Sequence, residues 1–220
     1  MDGGVPDAMM LLKFRRLLED HDLCKAFFDD VKERLGKVGL MMRGGTIVDA
    51  TIIHSTSSTK NRTGQRDPEM RQTKKGNQRR HGMKALSGVD AGSGYVHTIV
   101  GTSANVHDIT PVAELIREDD AVVYGDSGYT GIGKRETVVN DERLSKIDYR
   151  IVMRSSSLKT PKDYAGVQWD RMIENRKASI RCKVEHPFLI VKRQFGYCKT
   201  AYRGIKKNMN RFFMLGSRQL

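Results

Sequence analysis

The sequence has few of the features that mark secreted or membrane proteins. Its 220 residues include three cysteines, which form neither CxxC pairs nor an even set, and no apolar run approaches the roughly 18 residues that span a bilayer. The opening Met1-Asp2-Gly3-Gly4 lacks the positive and then apolar pattern of a signal peptide. These absences exclude membrane insertion and a disulfide framework, and they predict a cytoplasmic protein with reduced thiols.

Positive charge, by contrast, is abundant and unevenly placed. The chain carries 39 Lys and Arg against 26 Asp and Glu, a net charge of +13. Residues 60–84 contribute +7 and residues 171–220 contribute +11, so that the rest of the chain is net acidic. Two basic segments on an acidic body predict a partner with a phosphate backbone. Ordinary solvated charge runs are the alternative.

Hydrophobic spacing predicts two amphipathic helices before Gly36. The β-branched run TIVDATII at 46–53 predicts a buried strand, and the polar, basic residues 54–80 predict a long surface loop. Residues 81–89 and 95–102, on either side of a glycine-rich turn, predict a β-hairpin.

The second half of the sequence predicts strands that alternate with helices. We expect a helix at 108–117 capped by Asp108, strands at 121–124 and 147–153, and a long basic helix from 170 to about 191. Successive strands followed by such an alternation predict an α/β fold, a mixed sheet flanked by helices and preceded by an N-terminal helical segment.

Three acidic residues occupy positions that need an explanation. Asp49 interrupts the apolar strand, where an unpaired carboxylate is costly. Asp126 follows strand 121–124, at the end of a strand where open α/β sheets bind ligands. Glu185 shares one face of the late helix with Arg181 and Lys192. If the two strands are neighbours, the three carboxylates can converge on one point.

Carboxylates with no His or Cys partner at ligand spacing suit hard divalent ions, Mg²⁺ or Mn²⁺, which in pairs promote phosphodiester cleavage. The spacing alone leaves another interpretation open. Asp49 would then be a buried acid paired with an arginine, Asp126 a turn former, and Glu185 a surface ion-pair partner of Arg181. Asp90 is interpreted as a turn former as well, and His186 as structural.

The sequence motifs narrow these alternatives. Five segments closely resemble the bacterial insertion-sequence transposases of the DDE class, in the insertion sequence 5 branch of the insertion-sequence-4-like group: TIVDATII, STKNRTGQRDPEMRQTKKGNQ, HGMKALSGVDAGSGYVHTIVGTSANVHDIT, YGDSGYTG and RCKVEHPFLIVKRQFGYCKTAYRG. The resemblance implies an RNase H-like fold and Mg-dependent cleavage and transfer of DNA strands. It also implies two Mg²⁺ or Mn²⁺ ions held by Asp49, Asp126 and Glu185.

The resemblance extends to DNA contacts. The related signature Y-x2-R-x3-E-x6-K is met at Arg181, Glu185 and Lys192, while its tyrosine falls on Ala178. Arg181 and Lys192 would then contact phosphates at the transposon end, and Lys74 and Lys75 are interpreted as part of a DNA-facing loop. Two departures from the family pattern, Arg79-Arg80-His81 and Ser87, predict a weakened local sheet.

The chain is accordingly divided into a partial N-terminal helical segment, 1–43, and an RNase H-like catalytic domain, 44–220. Relatives carry a further N-terminal region that recognises element ends, so the resemblance implies an N-terminally truncated chain. The implied partners are terminal inverted repeats and target DNA in a bacterial nucleoid, with a homodimer synapsing two ends. Two other functions stay open: an inactive remnant that only binds DNA, and a general RNase H-like nuclease.

Overall fold

A computed structural model of the chain describes residues 5–153 and 165–218. The strands are β1 (Thr46–His54), β2 (Arg71–Lys75), β3 (Gln78–Asp90), β4 (Val96–Ser103), β5 (Val122–Gly125) and β6 (Asp148–Ile151). They form one sheet whose main path is β2-β3-β1-β5-β6, with β4 also paired to β3. β1 runs antiparallel to β3 and parallel to β5, which confirms the predicted mixed sheet. The neighbours β4, β3 and β1 are antiparallel, and β5 and β6 continue the sheet parallel to β1. This is the strand order of an RNase H-like fold.

Helices cover both faces of this sheet. They are α1 (Ala8–Asp20), α2 (Leu23–Lys37), α3 (Val112–Leu115), α4 (Glu136–Val139), α5 (Glu142–Ser145), α6 (Ala165–Arg181), α7 (Glu185–Leu189) and α8 (Ile205–Ser217). The two predicted N-terminal helices are therefore present. No helix in the described ranges is long and apolar enough to cross a bilayer.

Side chains alternate along β1, so the strand contributes to two cores. Ile47 and Ile53 pack with Phe28 of α2 and Phe188 of α7 in one core. Val48 packs on the opposite face in the other core, which also holds Leu115, Tyr129 and Leu144. The sheet is thus buried on both sides. Asp49, two residues after Ile47, lies on the face of the first core.

The prediction of a loop over 54–80 is wrong for its last third. β2 and the first part of β3 form a hairpin in which Arg71 pairs with Gly82 and Lys75 pairs with Gln78. We call residues 71–82 the basic ribbon. The sequence does not predict these strands, because both are polar and lack the apolar alternation of a strand that covers a core. β3 runs unbroken from Gln78 to Asp90 through Arg79-Arg80-His81 and Ser87, and its pairing with β4 shifts register between Gly88 and Val89.

The predicted helix at 108–117 is much shorter. Only Val112–Leu115 is α-helical, and Pro111, not Asp108, is its N-terminal flanking residue. Ile116 already has an extended backbone, with φ −90° and ψ 128°. Ile109 and Ile116, outside the helix, are both buried in the second core. Core packing of an irregular segment therefore outweighs its helical spacing.

The late helix is longer than predicted and changes its pitch. The late helical segment, residues 165–194, consists of α6, a 3₁₀ turn at Cys182–Val184, α7, and a π-helical turn at Ile190–Gln194. Pro187 lacks the amide that would donate to the carbonyl four residues earlier, and the tighter 3₁₀ turn lies immediately before α7. This segment packs Val184, Phe188 and Val191 onto the Ile47 face of the sheet.

The two acids of the first basic segment stabilise the start of α8. Asp67 Oδ2 accepts from the backbone amide of Gly204 at 2.7 Å, and Glu69 Oε2 accepts from that of Ile205 at 2.7 Å. These carboxylates satisfy helix N–H groups and complement the helix dipole. The segment after β1 is thereby fastened to the C-terminal helix.

A buried polar network closes the opposite end of β1. Arg117 forms ion pairs with Asp90 at 3.0 Å and Asp120 at 2.9 Å. His97 Nε2 lies 2.9 Å from Thr46 Oγ1, which also donates to Asp120. Burial, with the charge of Arg117, lowers the pKa of His97 to about 3. Asp90 also accepts from the backbone amide of Ser93, as its interpretation as a turn former requires.

Candidate active site

Asp49 lies in β1, inside the sheet, where the antiparallel ladder with β3 pairs it with Ser87 and the parallel ladder with β5 ends two residues earlier, at Ile47. Its neighbours Ile47 and Val48 are fully buried, on opposite faces. Its Oδ1 accepts from the amide of Ala50 at 2.8 Å. Only 16% of its side chain is exposed. β1 therefore holds the carboxylate of Asp49 in a position that is largely shielded from solvent.

Asp126 is brought beside Asp49 by the parallel pairing of β1 and β5. The ladder sets Thr46 against Val123 and Ile47 against Tyr124 and ends there. Continued by two residues along both strands, this register sets Asp49 level with Asp126, and the charge of Asp126 acts on the pKa of Asp49. Neighbouring strands lie about 4.8 Å apart. Asp126 keeps an extended backbone and, through Oδ1, accepts from the amide of Gly128 at 2.8 Å as the cap of a 3₁₀ turn.

A residue larger than glycine at position 128 of that turn would displace the side chain of Asp126. A Cβ atom there would lie 2.9 Å from Asp126 Oδ1, closer than nonbonded carbon approaches oxygen. The next residue, Tyr129, is buried, and its hydroxyl has no hydrogen-bond partner in the described part of the chain. Burial and the charges of Asp49, Asp108 and Asp126 all raise the pKa of Tyr129. The hydroxyl therefore stays protonated near the two acids.

Arg181 connects Asp49 to Glu185. Its Nη2 lies 3.2 Å from Asp49 Oδ2 and 3.1 Å from Glu185 Oε1. The side chain of Glu185 is 62% exposed and that of Arg181 is 26% exposed. One guanidinium nitrogen thus lies between a buried carboxylate of the sheet and an exposed carboxylate of α7.

The carboxylates carry more negative charge than Arg181 compensates. Burial raises the pKa of Asp49, and the charge of Asp126 raises it further, against the opposing effects of the Ala50 amide and Arg181. Burial acts to lower the pKa of Arg181, but the charges of Asp49, Glu185 and Asp126 outweigh it and the pKa is raised. The four side chains therefore form one electrostatic unit with an uncompensated negative charge.

The local contacts that the sequence left open as alternatives are all present. Asp49 is paired with an arginine, Asp126 caps a turn, and Glu185 forms an ion pair with Arg181. They are not independent, because the same guanidinium serves both Asp49 and Glu185. His186 lies away from this unit and lines a cleft with Tyr95 and Lys183.

The donor set suits a hard divalent ion, although it is not assembled around one. Within residues 5–153 and 165–218, no three His, Cys, Asp or Glu side chains lie close enough together to hold a metal ion. Asp49 and Glu185 are separated by Arg181 Nη2. All three candidate ligands are nevertheless carboxylates, which hard divalent ions prefer. Burial and, to a smaller extent, the charge of Asp126 disfavour the ionised form of Asp49, and a bound cation would oppose both effects.

Ser87 is a neighbour of Asp49 that sequence reasoning treated as a defect in β3. It pairs directly with Asp49 across the β1–β3 ladder, so both side chains lie on the same face. Ser87 is buried, and its hydroxyl lacks a hydrogen-bond partner among the described residues. Its signal in the sequence is a small polar residue inside an otherwise apolar strand.

The predicted DNA-binding lysines lie at two other places. Lys74 and Lys75 belong to β2 of the basic ribbon, next to the Gly76-Asn77 turn, and the Lys74 side chain is exposed. Lys74 pairs across the strands with Arg79. Residues 71–82 contain five Lys or Arg and no acid. All charged residues of the basic ribbon are therefore positively charged.

Lys192 lies in the π-helical turn, near the end of β1. Its positive charge, with those of Arg80 and Lys199, adds to the effect of burial in lowering the pKa of His54. His54 also contacts Arg80, with Nε2 3.2 Å from Nη1. A second group of cations thus links the base of the basic ribbon to the late helical segment.

The comparisons with known proteins agree with this arrangement. The family model described as "Transposase DDE domain" matches residues 41–216, from just before β1 into α8, and the matched region includes all three acids. No solved structure matches the chain.

Proposed function

Because the chain belongs to the family of transposases with a DDE domain, we propose that it cuts and joins DNA strands at the ends of an insertion sequence of the insertion sequence 5 branch. Asp49, Asp126 and Glu185 are the proposed catalytic and metal-binding residues. The observation that carries the proposal is the contact of Arg181 with both Asp49 and Glu185, together with the β1–β5 register, which, continued by two residues, sets Asp126 beside Asp49.

Each acid has a distinct part in this proposal. Asp49 offers Oδ2 from a rigid strand, while its Oδ1 is held by the Ala50 amide. Asp126 offers Oδ2, because the Gly128 amide holds its Oδ1. Glu185 reaches in from an exposed helix position. When bound there, Mg²⁺ or Mn²⁺ ions, two per site, supply Lewis acidity for the attacking hydroxyl and charge stabilisation for the leaving oxygen.

The basic groups would hold the DNA. Arg181 lies on the late helical segment in contact with Asp49 and Glu185, and Lys192 lies further along that segment, near His54. Lys74 and Lys75 lie on a two-stranded ribbon, a shape that a major groove admits. Arg181 would bind a phosphate near the scissile bond. The partners are then element ends and target DNA in the bacterial cytoplasm and nucleoid, with two copies of the chain holding two ends together.

Cleavage of a labelled element end in the presence of Mg²⁺ tests the proposal. We expect Asp126→Ala and Glu185→Ala each to reduce cleavage by more than about 100-fold, since even loss of a group that only orients a metal ligand costs 10–100-fold. Glu142→Ala is the matched control, because that exposed acid pairs only with the surface residue Lys146 among the described contacts.

Three results would contradict the proposal in different ways. Cleavage that survives both substitutions would remove the acids from the site. DNA binding without Mg²⁺-dependent cleavage would indicate a remnant that only binds DNA. Equal cleavage of duplexes with and without element ends would indicate a general nuclease.

A further inference from the structure

Arg181 occupies the point at which the candidate metal site would have to receive a cation. Its Nη2 contacts Asp49 Oδ2 and Glu185 Oε1 at 3.2 and 3.1 Å, which are the atoms that a shared ion would need. We propose that Arg181 is a built-in counter-cation that keeps the metal-free site closed, and that DNA binding draws the guanidinium onto a phosphate and so admits the divalent ion. The inference rests on the proposed function.

The guanidinium and a divalent ion exclude each other for two reasons. They would compete for the same two carboxylate oxygens, and their like charges would repel one another at contact distance in a partly buried site. With three carboxylates and one guanidinium, the unit has a formal charge of −2, enough to attract a divalent ion to its edge. The ion binds fully only after Arg181 leaves.

The surroundings of Arg181 would allow its side chain to move from the carboxylates to a phosphate. A quarter of its side chain is exposed, so Arg181 is not fully enclosed by the protein. Its Nε is buried and has no hydrogen-bond partner among the described residues, so the present position leaves one donor unsatisfied. A phosphate accepts two parallel bonds from a guanidinium, which would use donors that Asp49 and Glu185 leave idle. A phosphate would therefore satisfy the Nε donor that the present position leaves without a partner.

Coupling of this kind must act in both directions. If DNA binding releases the carboxylates, DNA raises the affinity for the metal, and the metal raises the affinity for DNA by the same factor. Such couplings typically amount to about 5–150-fold. The device would keep a nuclease-like centre without metal until its nucleic acid is in place.

Binding of Mn²⁺, followed by the electron paramagnetic resonance signal of the free ion, tests this directly on the full chain. The wild type is titrated alone and with a short duplex carrying an element end, after subtraction of Mn²⁺ bound by the duplex itself. We expect DNA to tighten Mn²⁺ binding by about 5–150-fold. In Arg181→Gln, Mn²⁺ should already bind at least about 5-fold more tightly without DNA, and the effect of DNA should disappear.

Arg176→Gln is the matched control, because it removes an exposed arginine from the same helix and should behave as the wild type. The wild-type titration needs no variant, so the inference can fail even if Arg181→Gln does not fold. Equal Mn²⁺ affinity with and without DNA in the wild type would overturn it, and so would equal affinities of wild type and folded Arg181→Gln. Absence of saturable Mn²⁺ binding in every case would overturn the proposed metal site as well.

Discussion

Replacement of Lys74 and Lys75 by glutamine should weaken DNA binding in a way that depends on salt. A lysine that neutralises one phosphate contributes about 0.9 to the slope of log K against log salt concentration. The double substitution should therefore reduce the slope by about 1.8. Between 50 and 200 mM salt, the advantage of the wild type should shrink by about 12-fold.

Fluorescence anisotropy of a labelled duplex at four salt concentrations measures the slope. The effect should be similar for unrelated DNA sequences, because a phosphate contact carries no sequence information. Lys13→Gln with Lys134→Gln is the matched control: it removes the same charge from exposed positions on α1 and on the 3₁₀ turn at Ile132–Lys134. Its slope should remain that of the wild type.

Unfolding is not expected to confuse this experiment. Lys74 lies directly opposite Arg79 across the ribbon, and like charges in that arrangement are destabilising. Removing one of them should leave the melting temperature unchanged or raise it slightly. An unchanged slope in the ribbon variant, or an equal fall in the control variant, would refute the reasoning.

The remaining predictions concern the folded state. His97 has a folded pKa of about 3 against 6.5 when unfolded, so its unfolded state binds the extra proton below pH 6.5 and stability falls with falling pH. From pH 8 to pH 5, the free energy of unfolding measured in urea should therefore fall by about 2 kcal/mol more in the wild type than in His97→Gln. Equal falls in the two proteins would contradict the burial of a neutral imidazole. Phe28→Ala should cost about 3–5 kcal/mol in the same assay, because Phe28 is fully buried in the first core and its ring lies 5.7 Å from that of Phe213; a cost below about 1 kcal/mol would mean that α2 is not docked. Gly82→Ala should cost about 1–3 kcal/mol, because the added Cβ would collide with the Ile53 carbonyl, whereas Gly76→Ala, in open space but at φ +61°, tests backbone strain alone.

The sequence was sufficient to predict the central strand, whose apolar residues face both cores. TIVDATII could only be a buried strand, and the anomaly of Asp49 within it was visible without coordinates. The basic ribbon was missed because neither of its strands has an apolar face. The predicted helix at 108–117 failed for the opposite reason, since Ile109 and Ile116 have helical spacing but are buried by an irregular backbone.

The site itself was predictable only as a set of residues. The fact that Asp49 and Asp126 are level depends on the register of β1 and β5, which no local pattern encodes. The position of Arg181 depends on how the late helical segment lies across the sheet. Sequence spacing placed Arg181 on the face of Glu185, but it could not indicate that one nitrogen would also contact Asp49.

The distance along the chain between Asp49 and Arg181 fixes the order in which the site acquires its charges. Arg181 follows Asp49 by 132 residues, so at a synthesis rate of about 5–20 residues per second the ribosome adds it roughly 7–26 s later. All six strands precede it, and the last of them ends at Ile151. The sheet can therefore form while its carboxylates have no counter-ion, and arrival of the late helical segment is the moment in biosynthesis at which they first gain one.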